Sequence, residues 1–348
     1  MPAAPMHREI TSSKPLPQFH TYRTRRLTGP IICLLLLIIF SIASLLLGSK
    51  YIAPETVWNS LTGELHNNES IIILESRLPR TLVGILVGMA LGGAGALIQA
   101  LTRNPLADPG ILGVNAGASF AIVVAITLFG LSSVMAKVSV ACLGAFLASL
   151  AVWLISMQSG DKSNPVRLTL SGVAISALLT GVTTNIALLN PSTFDQLRIW
   201  QAGTLDIRSL QVTLLVAPLI LIGCALTLLI SRPLNTLSMG EEIATTLGVK
   251  ILWVKVSAII AIMLLCGTAT ALAGPIGFVG LMIPHIARWW CGPDQRWIIL
   301  HSLLMAPVLL LSADIVGRLL VAGELRVSIV TAFIGAPVLI WQVRKRKY

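Results

Sequence analysis

Charge is what this chain has least of. Only 11% of its 348 residues are charged and 14 are acidic, against 55% hydrophobic. Carriers that draw on a proton or sodium gradient need buried acids to hold the ion. Here Asp314 is the main acid inside an apolar run, with Arg318 one turn away. Driving energy is therefore expected from outside the chain. Cysteine is equally uninformative as chemistry. Cys33, Cys142, Cys224, Cys266 and Cys291 have no C-x-x-C spacing, which excludes a zinc ribbon or a redox pair and leaves small apolar residues. No G-x-x-x-x-G-K-[ST] is present. Gly160-Asp161-Lys162-Ser163 separates the glycine from the lysine, so ATP binding by a phosphate loop is not expected. H-E-x-x-H and G-x-S-x-G are missing too. His285 and His301 read as structural or interfacial histidines, and no catalytic residue, cofactor or metal is expected.

What is present is apolar length. Mean hydropathy is +0.86. A span needs about 20 apolar residues, so ten spans need about 200. Apolar runs lie near 31–47, 79–101, 112–130, 134–157, 166–189, 209–231, 251–272, 275–291, 297–320 and 327–343, the eighth being short and containing Pro284. The predicted class is an all-α integral membrane protein with about ten transmembrane helices. Residues 1–29 are expected to be a disordered tail, and residues 30–348 one polytopic domain. The net charge of +11 is explained by basic loops on one membrane face rather than by nucleic acid. With both termini inside, 17 of the 25 basic residues fall on the inner side and 8 on the outer. This bias favours an even number of spans and two cytoplasmic termini.

The stretch from Arg77 to Asn115 organises the rest. Between Thr81 and Leu101, Gly84, Gly88, Gly92, Ala96 and Ala100 recur every fourth residue, with Gly93 and Gly95 beside them. Each interior glycine costs a helix in water roughly 1 kcal/mol. In lipid, small residues four apart form a groove that lets another backbone approach. The helix is therefore expected among other helices rather than against lipid. R-N-P-L-A-D-P-G after it must be a compact turn.

Two loops carry candidate contacts. Arg77 and Arg80 flank a Leu-Pro at the outer mouth of this helix, and Arg318 lies at the outer end of the ninth span, four residues after Asp314. One reading is snorkelling at the membrane edge with an Asp314–Arg318 pair at i, i+4; for Arg77 and Arg80 together, a ring of exposed guanidinium groups that holds carboxylates bidentately points to an acidic docking partner. On the inner side, Ser238-Met239-Gly240-Glu241 fits a capping box before a short helix, roughly Met239–Leu247. Glu241 and Glu242 suit its first turn. Ile243, Ala244 and Leu247 would form its apolar side, a knob for the cleft of a soluble partner.

These features together resemble the permease subunits of the iron-siderophore and vitamin B12 importers, a type of ABC transporter. The stretches that carry the resemblance are R-L-P-R-T-L at 77–82, G-A-L-I-Q-A-L-T-R-N-P-L-A-D-P-G-I-L-G-V-N-A-G-A at 95–118 and G-P-I-G-F-V-G-L-M-I-P-H-I-A-R at 274–288. To these are added S-A-D-I-V-G-R at 312–318 and G-E-L-R-V-S-I-V-T-A-F-I-G-A-P-V-L-I at 323–340. L-N-P-S-T-F-D-Q-L-R-I-W-Q-A-G-T-L-D-I-R at 189–208 is similar to the ferric enterobactin branch. The resemblance implies a type II importer fold, two permeases around one path, two cytoplasmic ATPase subunits and a periplasmic substrate-binding protein. The enterobactin branch favours a different chain as the second permease. By the same resemblance Arg77, Arg80 and Arg318 receive the binding protein's acids. Asn104 and Leu106 help close the inner end of the path. Residues 239–247 are the coupling helix, with Ser238, Glu241, Glu242, Ile243, Ala244 and Leu247 at the ATPase contact. The cargo expected is a ferric siderophore, with heme or vitamin B12 as alternatives. An ion-coupled carrier and a membrane enzyme are the rival classes. Uptake without any ATPase, or turnover by the purified chain, would mark them.

Overall fold

The computed structural model describes residues 19–48, 50–63, 67–157, 165–207, 209–321 and 324–345. Most of the expected N-terminal tail, together with Lys162 and Arg208, lies outside the described residues. The order is α1 (Phe19–Leu46), α2 (Pro54–Leu61), α3 (Asn68–Ile71), a π-helical stretch Ile72–Arg77, α4 (Leu78–Thr102), a 3-10 turn Pro109–Leu112 and α5 (Val114–Phe129). Then follow α6 (Val134–Met157), α7 (Pro165–Leu189), α8 (Pro191–Gln201), α9 (Leu210–Leu229), α10 (Ser231–Leu237) and α11 (Glu241–Thr246). The last four are α12 (Ile251–Ala273), α13 (Val279–Cys291), α14 (Gln295–Leu320) and α15 (Val327–Lys345). Among the described residues there is no strand.

Each of the ten apolar runs is found as a helix. Seven are long and apolar enough to cross a membrane, and Val114–Phe129 and Val327–Trp341 are shorter apolar helices. The run expected at 275–291 is helical only over 13 residues, Val279–Cys291. At 1.5 Å per residue that is about 20 Å, less than the hydrocarbon thickness. Gly274 and Phe278, both at positive φ, hold the preceding G-P-I-G-F out of the helix. Three boundaries depart from the sequence reading. α1 already begins at Phe19 rather than near residue 30. The expected loop at 49–76 contains α2 and α3. The organising helix starts upstream of residue 79, because α3, the π stretch and α4 run on as Asn68–Thr102.

α4 lies at the centre, and its glycines explain why. A Cβ on Gly84 would meet Leu311 at 2.7 Å, while one on Gly88 would overlap the backbone of Pro307. Gly92 faces the Ser302 carbonyl and Gly95 the Gly280 carbonyl just as closely. The four-residue repeat thus seats α4 backbone to backbone on α14, and Gly95 does the same against α13. Every residue from Val87 to Ala100 except Met89 is buried. α1 and α7, in contrast, bury little of their length, as helices facing lipid or another subunit do. Four of the five cysteines are buried, Cys142 partly so, and all are free thiols.

Gly88→Leu is expected to cost about 1–3 kcal/mol by overpacking, read as a lower unfolding temperature of detergent-purified protein. A Cβ on Gly181 meets nothing within 4 Å, so Gly181→Ala should leave stability unchanged or raise it by up to about 1 kcal/mol. Equal losses in the two variants would contradict the close seam.

Candidate functional site

The sequence-predicted residues gather at the two ends of α4, 25 residues long and so about 37 Å from end to end.

At the first end Arg77, Arg80 and Arg318 come together, but they are not exposed. Their relative accessibilities are 5%, 6% and 6%. The reason lies in α1. A helix leaves its last four carbonyls without internal partners, and α1 ends beside these arginines. Arg77 Nη1 donates to Leu45 O at 2.6 Å and to Leu46 O at 2.9 Å, and its Nη2 donates to Lys50 O. Arg318 Nη1 donates to Ser44 O at 3.1 Å and Leu47 O at 3.0 Å, and its Nη2 to Ser44 Oγ at 2.9 Å. Two guanidinium groups thus cap the carbonyl end of α1, where cations are also favoured by the helix dipole.

Arg80 is engaged differently. Its Nε lies 3.0 Å from Asp314 Oδ2 and its Nη2 2.9 Å from Oδ1, and Nη1 donates to Glu324 Oε2 at 2.7 Å. Arg318 Nε stands 3.1 Å from Asp314 Oδ2, the expected one-turn pair. One fully buried carboxylate therefore holds two guanidinium groups. Thr81 Oγ1 donates to Arg77 O at 2.8 Å and lies 2.8 Å from Ser44 Oγ, which closes the network. The ring of solvent-facing arginines expected at this end is thus corrected. Glu324 had been given no role. Its side chain is 40% exposed and its backbone left-handed, φ 53, features that no local pattern signals.

At the second end α4 stops on Arg103, which adopts the left-handed conformation, φ 51 and ψ 27. The turn after it is an Asx turn: Leu106 N donates to Asn104 Oδ1 at 3.0 Å and Ala107 N to Asn104 O at 3.1 Å. Asn104 and Leu106 are both exposed. Asp108 caps the 3-10 turn, accepting from Gly110 N at 2.7 Å. Burial pushes the Asp108 carboxyl above its ordinary range, and the Gly110 N–H works against that rise.

This end of α4 is linked to the end of α10, where Leu237 O accepts from Arg103 Nη2 at 3.1 Å, and α11 follows α10 in the chain. The expected capping box is not formed. Ser238 ends α10 and donates to Asn235 O at 2.6 Å, and the helix starts instead from Gly240 at φ 133. Starting there makes α11 six residues long and splits its expected apolar side. Ala244 turns inward and is fully buried, while Met239, Ile243 and Leu247 are 64%, 46% and 65% exposed. Glu241 is half-buried against Lys255, Nζ to Oε1 at 2.8 Å, and Glu242 is exposed. These three make the exposed apolar part of the segment, although only Ile243 lies within α11, and Met239 is the member absent from the expected set.

Among the described residues no three His, Cys, Asp or Glu side chains are grouped to hold a metal ion. One shallow groove of about 560 Å³ runs along α7, lined by Ala177, Leu178, Gly181, Val182, Asn185, Ile186 and Leu189.

A multi-span helical bundle, with a charged lock at one end of α4 and a compact Asx turn at the other, has the architecture of a transporter permease. The chain belongs to the FecCD transport family, whose model matches residues 35–345. It is 55% identical over 313 residues to the ferric enterobactin transport system permease protein FepD of Escherichia coli (strain K12), covering 90% of this chain and 94% of that one. It is 36% identical over 321 residues to the hemin transport system permease protein HmuU of Yersinia pestis, covering 90% and 94%. A solved metal-chelate type ABC transporter in an inward-facing conformation superposes with a TM-score of 0.81 at 29% identity, covering 91% of this chain and 98% of that one.

Asp314→Ala leaves two buried guanidinium groups without their shared carboxylate and should cost about 3–5 kcal/mol. Glu324→Ala removes a half-exposed partner and should cost about 1 kcal/mol or less. Unfolding of the two purified variants tests the ranking, and similar losses would contradict it.

Proposed function

We propose that the chain is the transmembrane permease subunit of an ABC importer that carries a ferric siderophore, a catecholate of the enterobactin type, across the cytoplasmic membrane. The observation that carries this reading is the similarity to the ferric enterobactin permease along nearly the whole chain. Both termini are cytoplasmic in this reading, supported by the excess of Lys and Arg on one set of loops. The Arg77 end of α4 then faces the periplasm and the Arg103 end the cytoplasm.

ATP is hydrolysed by two cytoplasmic partner subunits. In support, this chain has no phosphate-binding loop in its sequence and carries the apolar knob Met239, Ile243 and Leu247. Ser238, Glu241, Glu242 and Ala244 shape that segment, and the Asn104–Leu106 turn at the end of α4 serves as the cytoplasmic gate. A periplasmic binding protein docks over Arg77, Arg80 and Arg318. Arg80 and Arg318 pair with Asp314, and Arg80 also with Glu324, whereas Arg77 donates to backbone carbonyls, so three cations stand against two carboxylates and an acidic partner meets an excess of positive charge. A second permease, a different but related chain, completes the path. The face of α7 supports this, since Thr180, Thr184 and Asn185 are exposed along a helix long enough to span.

Deleting the gene should abolish growth on ferric enterobactin as sole iron source and leave ferrous iron uptake intact. Loss of growth on hemin instead would move the cargo to heme. Ile243→Asp with Leu247→Asp should release the ATPase subunits from the purified complex. Arg77→Glu with Arg80→Glu should weaken binding-protein affinity; unchanged affinity and uptake would remove the docking role.

A further inference from the structure

The segment that carries α11 is fastened to the bundle by three polar links, each to a different long helix. Arg103 Nη2, at the end of α4, donates to Leu237 O at 3.1 Å. Gln295 N, at the start of α14, donates to Asn235 Oδ1 at 2.9 Å. Lys255 Nζ, in the first turns of α12, pairs with Glu241 Oε1 at 2.8 Å.

The first and third links differ from ordinary surface contacts. Arg103 holds a left-handed backbone, for which glycine is the usual residue at a helix end. Glycine would end α4 without strain but could not reach Leu237. The carbonyl that Arg103 holds is also the one that forms the turn into α11, accepting from Gly240 N at 3.1 Å. Any tilt of α11 about that turn therefore acts on the same oxygen as Arg103. Asn104 is the next residue in the chain, and its side chain builds the Asx turn through Leu106 N. Lys255 is only 12% exposed, so its charge is held by Glu241 in a partly dry setting where such a pair is strong and directional. Ala244, packed inward, gives α11 one buried pivot, while Met239, Ile243 and Leu247 stay free for a partner.

We propose that Arg103 and Lys255 are positioning residues that convert displacement of the 239–247 segment into movement of the Asn104–Leu106 turn. Lys255 keeps α11 moving as one body with α12. Arg103 passes the shift of the α10–α11 turn to the end of α4. The inference rests on the proposed role of residues 239–247 as the ATPase contact.

The test uses the complete importer in proteoliposomes, with binding protein and ferric enterobactin. Three quantities are read: ATPase subunits bound per complex, ATP hydrolysed, and cargo taken up per ATP. Arg103→Gly suits the left-handed backbone and removes only the side chain. Lys255→Met keeps length and removes charge. Both are expected to retain ATPase binding and hydrolysis while uptake per ATP falls roughly fivefold or more, the range of a site-to-site coupling. Exchanging the pair, Lys255→Glu with Glu241→Lys, should recover uptake relative to Lys255→Met. Unchanged uptake per ATP in both single variants would overturn the proposal. So would loss of the ATPase subunits from either, since the residue would then serve attachment and not transmission. If Lys255→Met does not assemble, the exchanged pair and Arg103→Gly decide by the same readouts. The Ile243→Asp, Leu247→Asp variant separates the two levels. If it keeps its ATPase and its uptake, the contact role of the segment fails, whatever the linkage variants do.

Discussion

The close approach of α4 to α14 is the constraint on which the remaining geometry depends. Lipid offers helices no hydrophobic push toward one another, so association rests on packing and on hydrogen bonds. Gly84, Gly88 and Gly92 remove the side chains that would hold the two backbones apart, and Gly95 does the same against Gly280 of α13. Once that distance is set, Arg80 on α4 can reach Asp314 on α14 with two nitrogens, Nε and Nη2. A bulkier seam would widen the gap and leave a buried charge short of its partner, the costliest kind of error in such a setting.

The charged lock follows from a second rule: backbone groups inside a membrane protein must find partners within the protein. α1 ends beside α4 and α14, and its final carbonyls are taken by Arg77 and Arg318. Arginine suits this because one planar fork offers several donors in fixed directions. Asp314 then offsets the charge that the caps bring in. Three helices are joined at one end by groups whose roles cannot be separated: the cap needs the cation, and the cation needs the acid.

Much of this was legible from residue order. The four-residue spacing of small side chains identified the buried face of α4, and Asn-Pro with Asp-Pro-Gly identified the compact turn that Asn104 and Asp108 build. The ten apolar runs became helices. What failed depended on contacts distant in sequence. Arg77 and Arg318 were read as solvent-facing because nothing local reveals that the carbonyls of residues 44–47 lie against them. Ser238 matched a cap pattern, yet Gly240 could begin the helix at a φ closed to other residues, so the serine was left to end α10. The π-helical stretch that places Arg77 has no composition of its own. Arg103 and Lys255 looked like two basic residues among many on the same side, since their partners, Leu237 and Glu241, are fixed only by folding.

The distribution of packing also bears on how such a chain works. α4 is seated on α14 through backbone and small side chains and packs on α12 as well, and close-packed contacts of this kind switch between discrete arrangements rather than deform smoothly. α7 is built in the opposite way. Its faces carry Leu178, Val182 and Leu188 in the open, and a Cβ at Gly181 would meet no neighbour. Asn185 places one donor on Gly181 O at 2.8 Å and presents the rest of its amide outward, a poor match to hydrocarbon, where an unmet polar group is expensive. A helix of this composition is stable in a bilayer when another protein surface or a wet path lies against it. The interior of the chain therefore supplies the rigid frame, with its ends locked by Asp314 and Arg103. The exposed face of α7 is left as the part of the chain that needs something beyond it.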